Sequence, residues 1–222
     1  MRRIKVCFVI IMISIILFSG NNLGSKIRRI EKEMKNDVDS MELYLKLGKL
    51  YHQAARKDID DYTDKGIKHF EEAQKKYPNN DLIKVWYGSI LTIKGKNVFF
   101  PLKKRKYVKQ GLNKMDKAVK NYPKKLTVRV VRAKNNIALP DFFNRKDTAK
   151  KDLKYIIDSL ENNKNLKGKY NLPGMYYSLA KIYEDRDNND RSIHLWKKII
   201  SKYPESEEAS KSEKQLNTYE IE

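Results

Sequence analysis

The sequence contains very little cysteine, glycine or proline. Cys7 is the only cysteine in 222 residues, which excludes an intramolecular disulfide and any metal site or redox pair made of several thiolates. Only 9 Gly and 6 Pro are present, and the prolines stand at apparent helix ends, where they interrupt no hydrogen-bonded turn. This composition predicts an all-helical protein.

Acidic residues are also scarce in relation to basic ones. The chain has 48 Lys and Arg but 28 Asp and Glu, a formal net charge of +20. Such a charge attracts polyanions such as nucleic acid, anionic lipid or acidic wall polymer. The other interpretation, which we favour, is compositional, because Lys, Asn, Ile and Tyr are over-used along the whole chain.

The longest apolar run lies in residues 1–20, MRRIKVCFVIIMISIILFSG. A basic start followed by an apolar stretch is the layout of a secretory signal, although the 13 residues from Val6 to Phe18 are fewer than the roughly 17 that a spanning helix needs. We therefore expect an exported protein, secreted, periplasmic or membrane-anchored in a bacterial envelope, whose residues 1–22 are a cleaved signal or an uncleaved anchor. Residues 23–39 are expected to be a linker or short helix that packs weakly or frays.

The stretch from Pro173 to Pro204 predicts two antiparallel helices. Apolar residues recur every three or four positions in each half, so they share one face of a helix, and the polar segment DRDNND separates the halves. The repeating residues are Tyr176, Leu179, Ala180 and Tyr183, then Ser192, Trp196 and Ile199. One such pair cannot bury its apolar faces alone, so further pairs are expected to stack against it.

Similar pairs occur earlier in the chain. Their key positions are Tyr44, Leu47, Gly48, Tyr51, Gly66, Phe70, Ala73 and Pro78 in the first pair; Gly88, Leu91, Gly111, Met115, Ala118 and Pro123 in the second; and Ala133, Asp152, Ile156 and Ser159 in the third. The first set, with its spacing Y-x2-L-G-x2-Y, resembles the tetratricopeptide repeat. The resemblance implies a right-handed α-solenoid of about four antiparallel helix pairs over residues 40–205, followed by a cap helix and tail over residues 206–222. It also implies a scaffold that binds a protein or peptide and is not an enzyme.

The sequence departs from this repeat in several places. Arg129 and Arg132 stand where Tyr and Leu are expected, and insertions such as KGKNVFFPLKKRKY lengthen the connections between paired helices. Insertions in loops are common places for added function.

No cluster of residues indicates catalysis or metal binding. The three histidines are isolated in sequence, no catalytic motif is present, and the acidic segments around Asp58 and Asp185 lack the residues of a calcium loop. We therefore predict no catalytic site, no metal and no cofactor. The absence of motifs does not exclude catalysis, so an enzyme with an unrecognised site is kept as a second alternative, which a buried carboxylate or histidine pair in a deep cleft would favour.

Polar residues on the first helix of each pair are the candidates for partner contact. Burying them costs several kcal/mol unless they are paired, so we expect them to face the groove, together with one aromatic residue. The predicted partner-binding residues are Lys84, Tyr87, Arg129, Arg132, Asn136 and Lys181.

The insertion around residue 100 suggests a second kind of site. The run Lys103, Lys104, Arg105 and Lys106 follows Phe99 and Phe100, and basic residues with aromatics can hold an anionic polymer. We favour the alternative that both phenylalanines fold inward against Phe142 and Phe143 while Pro101 starts a helix with a solvated outer face. The corresponding alternative function is a basic adaptor for anionic membrane lipid, wall polymer or nucleic acid, the last being least expected for an exported protein.

Overall fold

The computed structural model describes residues 23–59, 61–166 and 168–219. Within these ranges the chain forms ten α-helices and two single-turn 3-10 helices, Asp141–Phe143 and Lys164–Leu166, with no β-strand. The predicted all-α fold is confirmed. The chain divides into two compact units, Met1–Tyr122 and Pro123–Glu222.

The first unit contains five of the described helices. They are α1 (23–36), α2 (Met41–Arg56), α3 (Tyr62–Lys76), α4 (Asp81–Asn97) and α5 (Pro101–Asn121). Ser40 and Asn80 begin α2 and α4, because their side chains accept hydrogen bonds from the amides of Leu43 and Ile83. Helix α2 packs on α3, and α4 packs on α2, α3 and α5.

Small residues set the distance between the paired helices of this unit. A Cβ atom on Gly48 would lie 2.4 Å from Cζ of Phe70, so the glycine leaves the space that the fully buried phenylalanine ring fills. A Cβ atom on Gly88 of α4 would lie 2.5 Å from the backbone oxygen of Gly111 on α5. These contacts have the steric arrangement that the repeat pattern predicts.

Helix α1 is packed, contrary to the expectation of a weakly packed or frayed segment. Leu23, Ile27 and Ile30 are buried and lie in one apolar cluster with side chains of α2. The hydroxyl of Tyr51 on α2 donates a hydrogen bond of 2.6 Å to Glu31. The spacing of three or four residues between the buried positions gives α1 one apolar face, and α2 covers it.

The second unit contains the other five helices. They are α6 (Leu126–Ile137), α7 (Lys146–Glu161), α8 (Leu172–Glu184), α9 (Asn189–Lys202) and α10 (Glu207–Tyr219). Successive helices pack on each other, and α10 also contacts α8. Trp196 and Ile199 of α9 are fully buried in the core of this unit. Helix α10 covers that core with Ala209, and its Tyr219 ring lies 5.8 Å from the Trp196 ring.

The repeated Tyr-Pro phrase ends three helices in the same way. Tyr77, Tyr122 and Tyr203 are the C-cap residues of α3, α5 and α9, and each donates its backbone N–H to the carbonyl four residues earlier. A proline follows each of them and disfavours helical backbone in the residue before it. The recurrence of the phrase therefore predicts a recurrent helix end.

The predicted signal or anchor, residues 1–22, lies outside the described residues. Among the helices of the described ranges, none combines the length and the apolar character required to cross a bilayer.

Candidate binding surfaces

Trp86 of α4 lies at the centre of a half-exposed cluster in the first unit. The His52 ring of α2 meets the Trp86 ring edge-on with centroids 4.9 Å apart, and Lys49 Nζ lies 5.9 Å from the Trp86 ring centroid. The indole Nε1 of Trp86 is enclosed and has no hydrogen-bond partner within the described ranges. The cluster therefore presents an aromatic side chain beside a cation on two first helices.

His52 is a neutral part of this cluster at physiological pH. Its Nε2 lies 2.7 Å from the hydroxyl of Ser89. Burial, followed by the positive charge of Arg56, lowers the pKa of His52 to about 4.

Lys84 and Tyr87, both predicted to bind a partner, have contacts inside the first unit. Lys84 Nζ lies 3.8 Å from Asp81, and its side chain is 20% exposed. Tyr87 is buried, and its hydroxyl donates a hydrogen bond of 2.8 Å to Glu71. Their role in partner binding stays a prediction.

An ion cluster in the second unit joins α6 to α7. Arg129 donates to Oδ1 of Asp152 at 2.6 Å, and Arg132 donates to both carboxylate oxygens at 2.7 and 2.8 Å. Asp152 is fully buried, whereas the two arginine side chains are 16% and 13% exposed. Two cations therefore share the carboxylate of Asp152.

Asp152 is the residue of this cluster that the sequence reasoning did not assign to a site. It occupies the second-helix position at which the repeat has a small residue, and the two arginines occupy apolar positions of the first helix. The two departures compensate each other, because a buried carboxylate requires a paired cation. Opposite charges at facing repeat positions were the signal that could have revealed the ion cluster.

Asn136 lies on the same side of α6 as the two arginines, at spacings of seven and four residues. It is fully buried, and its Oδ1 accepts a hydrogen bond of 3.0 Å from Nε of Arg145. Its Nδ2 has no partner among the residues that the structure describes. Helix α6 thus brings together three of the six residues predicted to contact a partner.

Lys181 lies elsewhere in the second unit, on α8. Its ammonium group bonds to Glu184 of the same helix and to Oε1 of Gln215 on α10 at 3.1 Å. Tyr177 precedes it by one helical turn and is also half-buried. Lys181 and Tyr177 form a second polar and aromatic surface on a first helix.

The connection between α4 and α5 forms an exposed surface that we call the basic tip, residues 98–106. Phe99 is 88% exposed and Phe100 is 61% exposed. The expectation that both fold inward is therefore wrong, and Phe142, one of their expected partners, is itself 73% exposed. Close packing between α4 and α5 extends as far as Gly95 and Val108, because a Cβ atom on Gly95 would lie 2.7 Å from Val108 Cγ2. The tip lies beyond this contact.

The predicted anion-binding residues all belong to this tip. Pro101 begins α5, as predicted, and residues 101–106 are all exposed. Because six successive helical residues cover every side of the helix, the first turn and a half of α5 is uncovered on all sides. Lys103, Lys104, Arg105 and Lys106 are therefore accessible to a ligand.

Comparisons with known proteins agree with this architecture. A family model of the tetratricopeptide repeat matches residues 175–206, which contain the α8–α9 pair. A comparison with curated proteins finds no match.

Several solved structures have a similar fold. TTC0263, a thermophilic TPR protein of Thermus thermophilus, superposes with a TM-score of 0.66 at 13% identity over 90% of this chain and 93% of its own. Human IFIT1, solved as a dimer with m7Gppp-AAAA, gives a TM-score of 0.62 at 16% identity over 85% of this chain but 40% of its own. The MamA protein gives 0.50 at 16% identity over 85% of this chain and 90% of its own.

The class of this protein follows from the helix pairs, the matched repeat and these structures together. The chain is a tetratricopeptide-repeat-like helical repeat protein. Proteins of this class generally bind other proteins and are typically non-catalytic scaffolds.

Proposed function

We propose that this protein is a non-catalytic scaffold of the bacterial cell envelope that binds a protein or peptide partner along the first helices of its repeats. The observation that carries the proposal is that, in each unit, the first helices of the helix pairs present half-exposed polar and aromatic side chains. Lys49 and Trp86 form such a surface in the first unit, and Tyr177 and Lys181 form one in the second.

The charges on these helices favour a partner segment with acidic side chains. Arg129 and Arg132 bring two guanidinium groups to one face of α6, with side chains 16% and 13% exposed, and we expect this face to favour an anionic group. Internal hydrogen bonds hold both guanidinium groups in one orientation, and this preorganisation lowers the entropy lost when a partner binds.

The envelope location rests on the leader alone. Residues 1–22 have the basic start and apolar run of an export signal. An uncleaved leader would keep the protein at the membrane, and a cleaved one would release it. Amino-terminal sequencing of the protein purified from its native cells distinguishes these outcomes.

Site-specific photo-cross-linking in the native cells tests the binding surface. A photoreactive phenylalanine replaces Tyr177 on α8 in one variant and exposed His194 on α9, the second helix of the same pair, in the matched control. We expect one defined protein to be cross-linked from position 177 and absent from position 194. Equal cross-linking from both positions, or from neither, would contradict binding along the first helices.

A second experiment defines the chemistry of the partner. We expect the charge reversal Lys181→Glu to weaken cross-linking from position 177, because an acidic partner segment would then meet like charge. Lys197→Glu, at an exposed position on α9, makes the same change in net charge and should leave cross-linking unaltered. An equal effect of the two reversals would show that the partner responds to net charge and not to the surface on α8.

A further inference from the structure

We propose that the basic tip docks on the surface of an anionic phospholipid bilayer, with its apolar side chains inserted among the lipids and its basic side chains at the headgroups. This interaction is additional to partner binding by the first helices and uses different residues.

The apolar part of the tip is exposed to an unusual degree. Phe99, Phe100 and Leu102 expose 88%, 61% and 84% of their surface, although large apolar residues are normally covered in a folded domain. The two phenyl rings contact each other edge-on with centroids 5.8 Å apart. These three neighbouring side chains form one apolar point at the end of the α4–α5 pair.

The basic part of the tip follows this apolar point directly. Lys103, Lys104, Arg105 and Lys106 are exposed, and Lys103 Nζ lies 5.4 Å from the Phe100 ring centroid. Two carboxylates lie beside the end of α4 that leads into the tip, but both are paired, Asp58 with Asn97 at 3.3 Å and Asp64 with Lys94 at 2.8 Å. Residues 98–106 themselves contain no acidic residue. The tip therefore has the charge that complements an anionic headgroup layer.

The size of the apolar point favours a bilayer over a protein. Aromatic side chains bury about 150–250 Å² each, so two phenylalanines and a leucine are a small part of the roughly 800 Å² per partner that stable protein interfaces bury. The rest of the tip is a run of four cations, and charged residues are depleted from the core of protein interfaces. A bilayer needs no matching contour, because insertion of a few apolar groups and attraction of basic groups add together.

The leader of the same chain is a poor occupant for this surface. Residues 1–22 are apolar but begin with Arg2, Arg3 and Lys5, so they carry the same sign of charge as the tip. A second copy of the tip would meet the same repulsion.

A local fluorescence measurement tests the proposal on the full chain. An environment-sensitive fluorophore is attached at Leu102→Cys in a Cys7→Ser background and, as a control, at Asn79→Cys. Asn79 is an exposed residue of the turn before α4, and the 17 residues of α4 separate it from the tip by about 25 Å. The probes are vesicles of phosphatidylcholine alone, which are neutral, or vesicles that also contain about 30% phosphatidylglycerol, which makes their surface negative.

We expect the fluorophore at position 102 to shift to the blue and brighten with anionic vesicles, and the fluorophore at position 79 to remain unchanged. This comparison separates the tip from the leader, which could hold the chain at any vesicle without bringing position 102 into contact. No response at position 102, or an equal response with neutral vesicles, would overturn the proposal.

Two variants measure separately how the apolar and the basic side chains of the tip contribute to vesicle binding. With the fluorophore at position 102, Phe99→Ala combined with Phe100→Ala should raise the vesicle concentration for half-maximal response at least about tenfold. Lys103→Glu combined with Lys104→Glu should raise it at least about tenfold as well. The charge-matched control is Lys68→Glu combined with Lys75→Glu, at two exposed positions of α3, and should change it less than about twofold.

Thermal unfolding should be the same in all these variants, because the substituted side chains are exposed. Equal weakening by the tip and control reversals would show attraction by net charge alone and overturn the proposal. So would a saturable response at position 102 to single-stranded oligonucleotide in place of anionic vesicles, since it would assign the tip to nucleic acid.

Discussion

The α6–α7 pair has a charged contact at positions where the repeat has an apolar one. It is formed by Asp152, Arg129 and Arg132. A buried ion cluster of this kind contributes little net stability when intact, because desolvation offsets much of the attraction. It becomes costly when one member is removed. The cluster therefore fixes which α6 and α7 positions face each other more than it strengthens the fold.

The substitution Asp152→Ala should lower the free energy of unfolding by about 3–5 kcal/mol, because it leaves two largely buried guanidinium groups without their carboxylate. Urea unfolding followed by circular dichroism measures the change. The compensating control is Arg129→Tyr, Arg132→Leu and Asp152→Ala together, which restores the residue types of the repeat and should recover most of the loss. A triple variant as unstable as Asp152→Ala would show that the charges do not act as a unit.

His52 should make stability fall as the pH is lowered below about 6.5. Its pKa is about 4 in the folded protein, whereas in the unfolded chain it has the ordinary value of 6.5. Between these two pH values, the unfolded chain binds a proton at His52 that the folded protein does not bind. The stability due to this group is fully present above pH 6.5 and is lost as the pH falls toward 4. Between pH 7 and pH 5 the expected loss is about 1–2 kcal/mol.

The matched variant for this prediction is His52→Gln, which keeps a side chain able to bond Ser89 but does not titrate. Urea unfolding at pH 7 and pH 5 should show a smaller difference for this variant than for the original chain. The buried His69, whose pKa burial also lowers, remains in both proteins and cancels in the comparison. The same pH dependence in both proteins would contradict the assignment to His52.

At the scale of helices, Gly88 and Gly111 allow the closest approach between α4 and α5. The change Gly88→Ala should destabilise the protein by about 2–3 kcal/mol, because the added methyl group meets backbone atoms that cannot move aside. Gly24→Ala is the control, since its Cβ would lie 3.5 Å from the end of the flexible Arg28 side chain. Thermal unfolding should show a lower melting temperature for Gly88→Ala and little change for Gly24→Ala. Equal effects of the two substitutions would indicate that helix propensity, and not contact with Gly111, determines the change in stability.

The sequence predicted the described helix pairs because the residues at the repeat positions are the ones that pack between the helices of a pair. The spacing of Gly48 and Phe70 anticipates a contact that the structure contains, and the Tyr-Pro phrase anticipates three helix ends. The packing of α1 was not predicted, because its three buried residues become informative only when α2 supplies the facing surface.

The candidate site was less predictable than the fold. A polar residue at a first-helix position can face a partner or an internal counter-charge, and spacing along one helix does not distinguish the two. For Arg129 the deciding residue was Asp152, which lies 23 positions away in sequence. Whether Phe99 is buried or exposed depends on where other parts of the chain stop covering α4 and α5. Local hydropathy carries no information about that boundary.

At the scale of the whole molecule, the charge of +20 and the repeat architecture have separate consequences. The net charge draws the protein toward any polyanion and is screened by salt. The helix pairs give each unit surfaces that can select a particular partner. Specific binding should therefore persist at a salt concentration that removes nonspecific attraction.

The most direct test of the scaffold is hydrogen–deuterium exchange of the full chain with and without the protein cross-linked from position 177. The account predicts that peptides from α8 gain protection in the complex, while peptides from α9 exchange at the same rate in both states. Protection confined to α9, or an exchange pattern that the partner does not alter, would contradict the claim that the first helices form the binding surface.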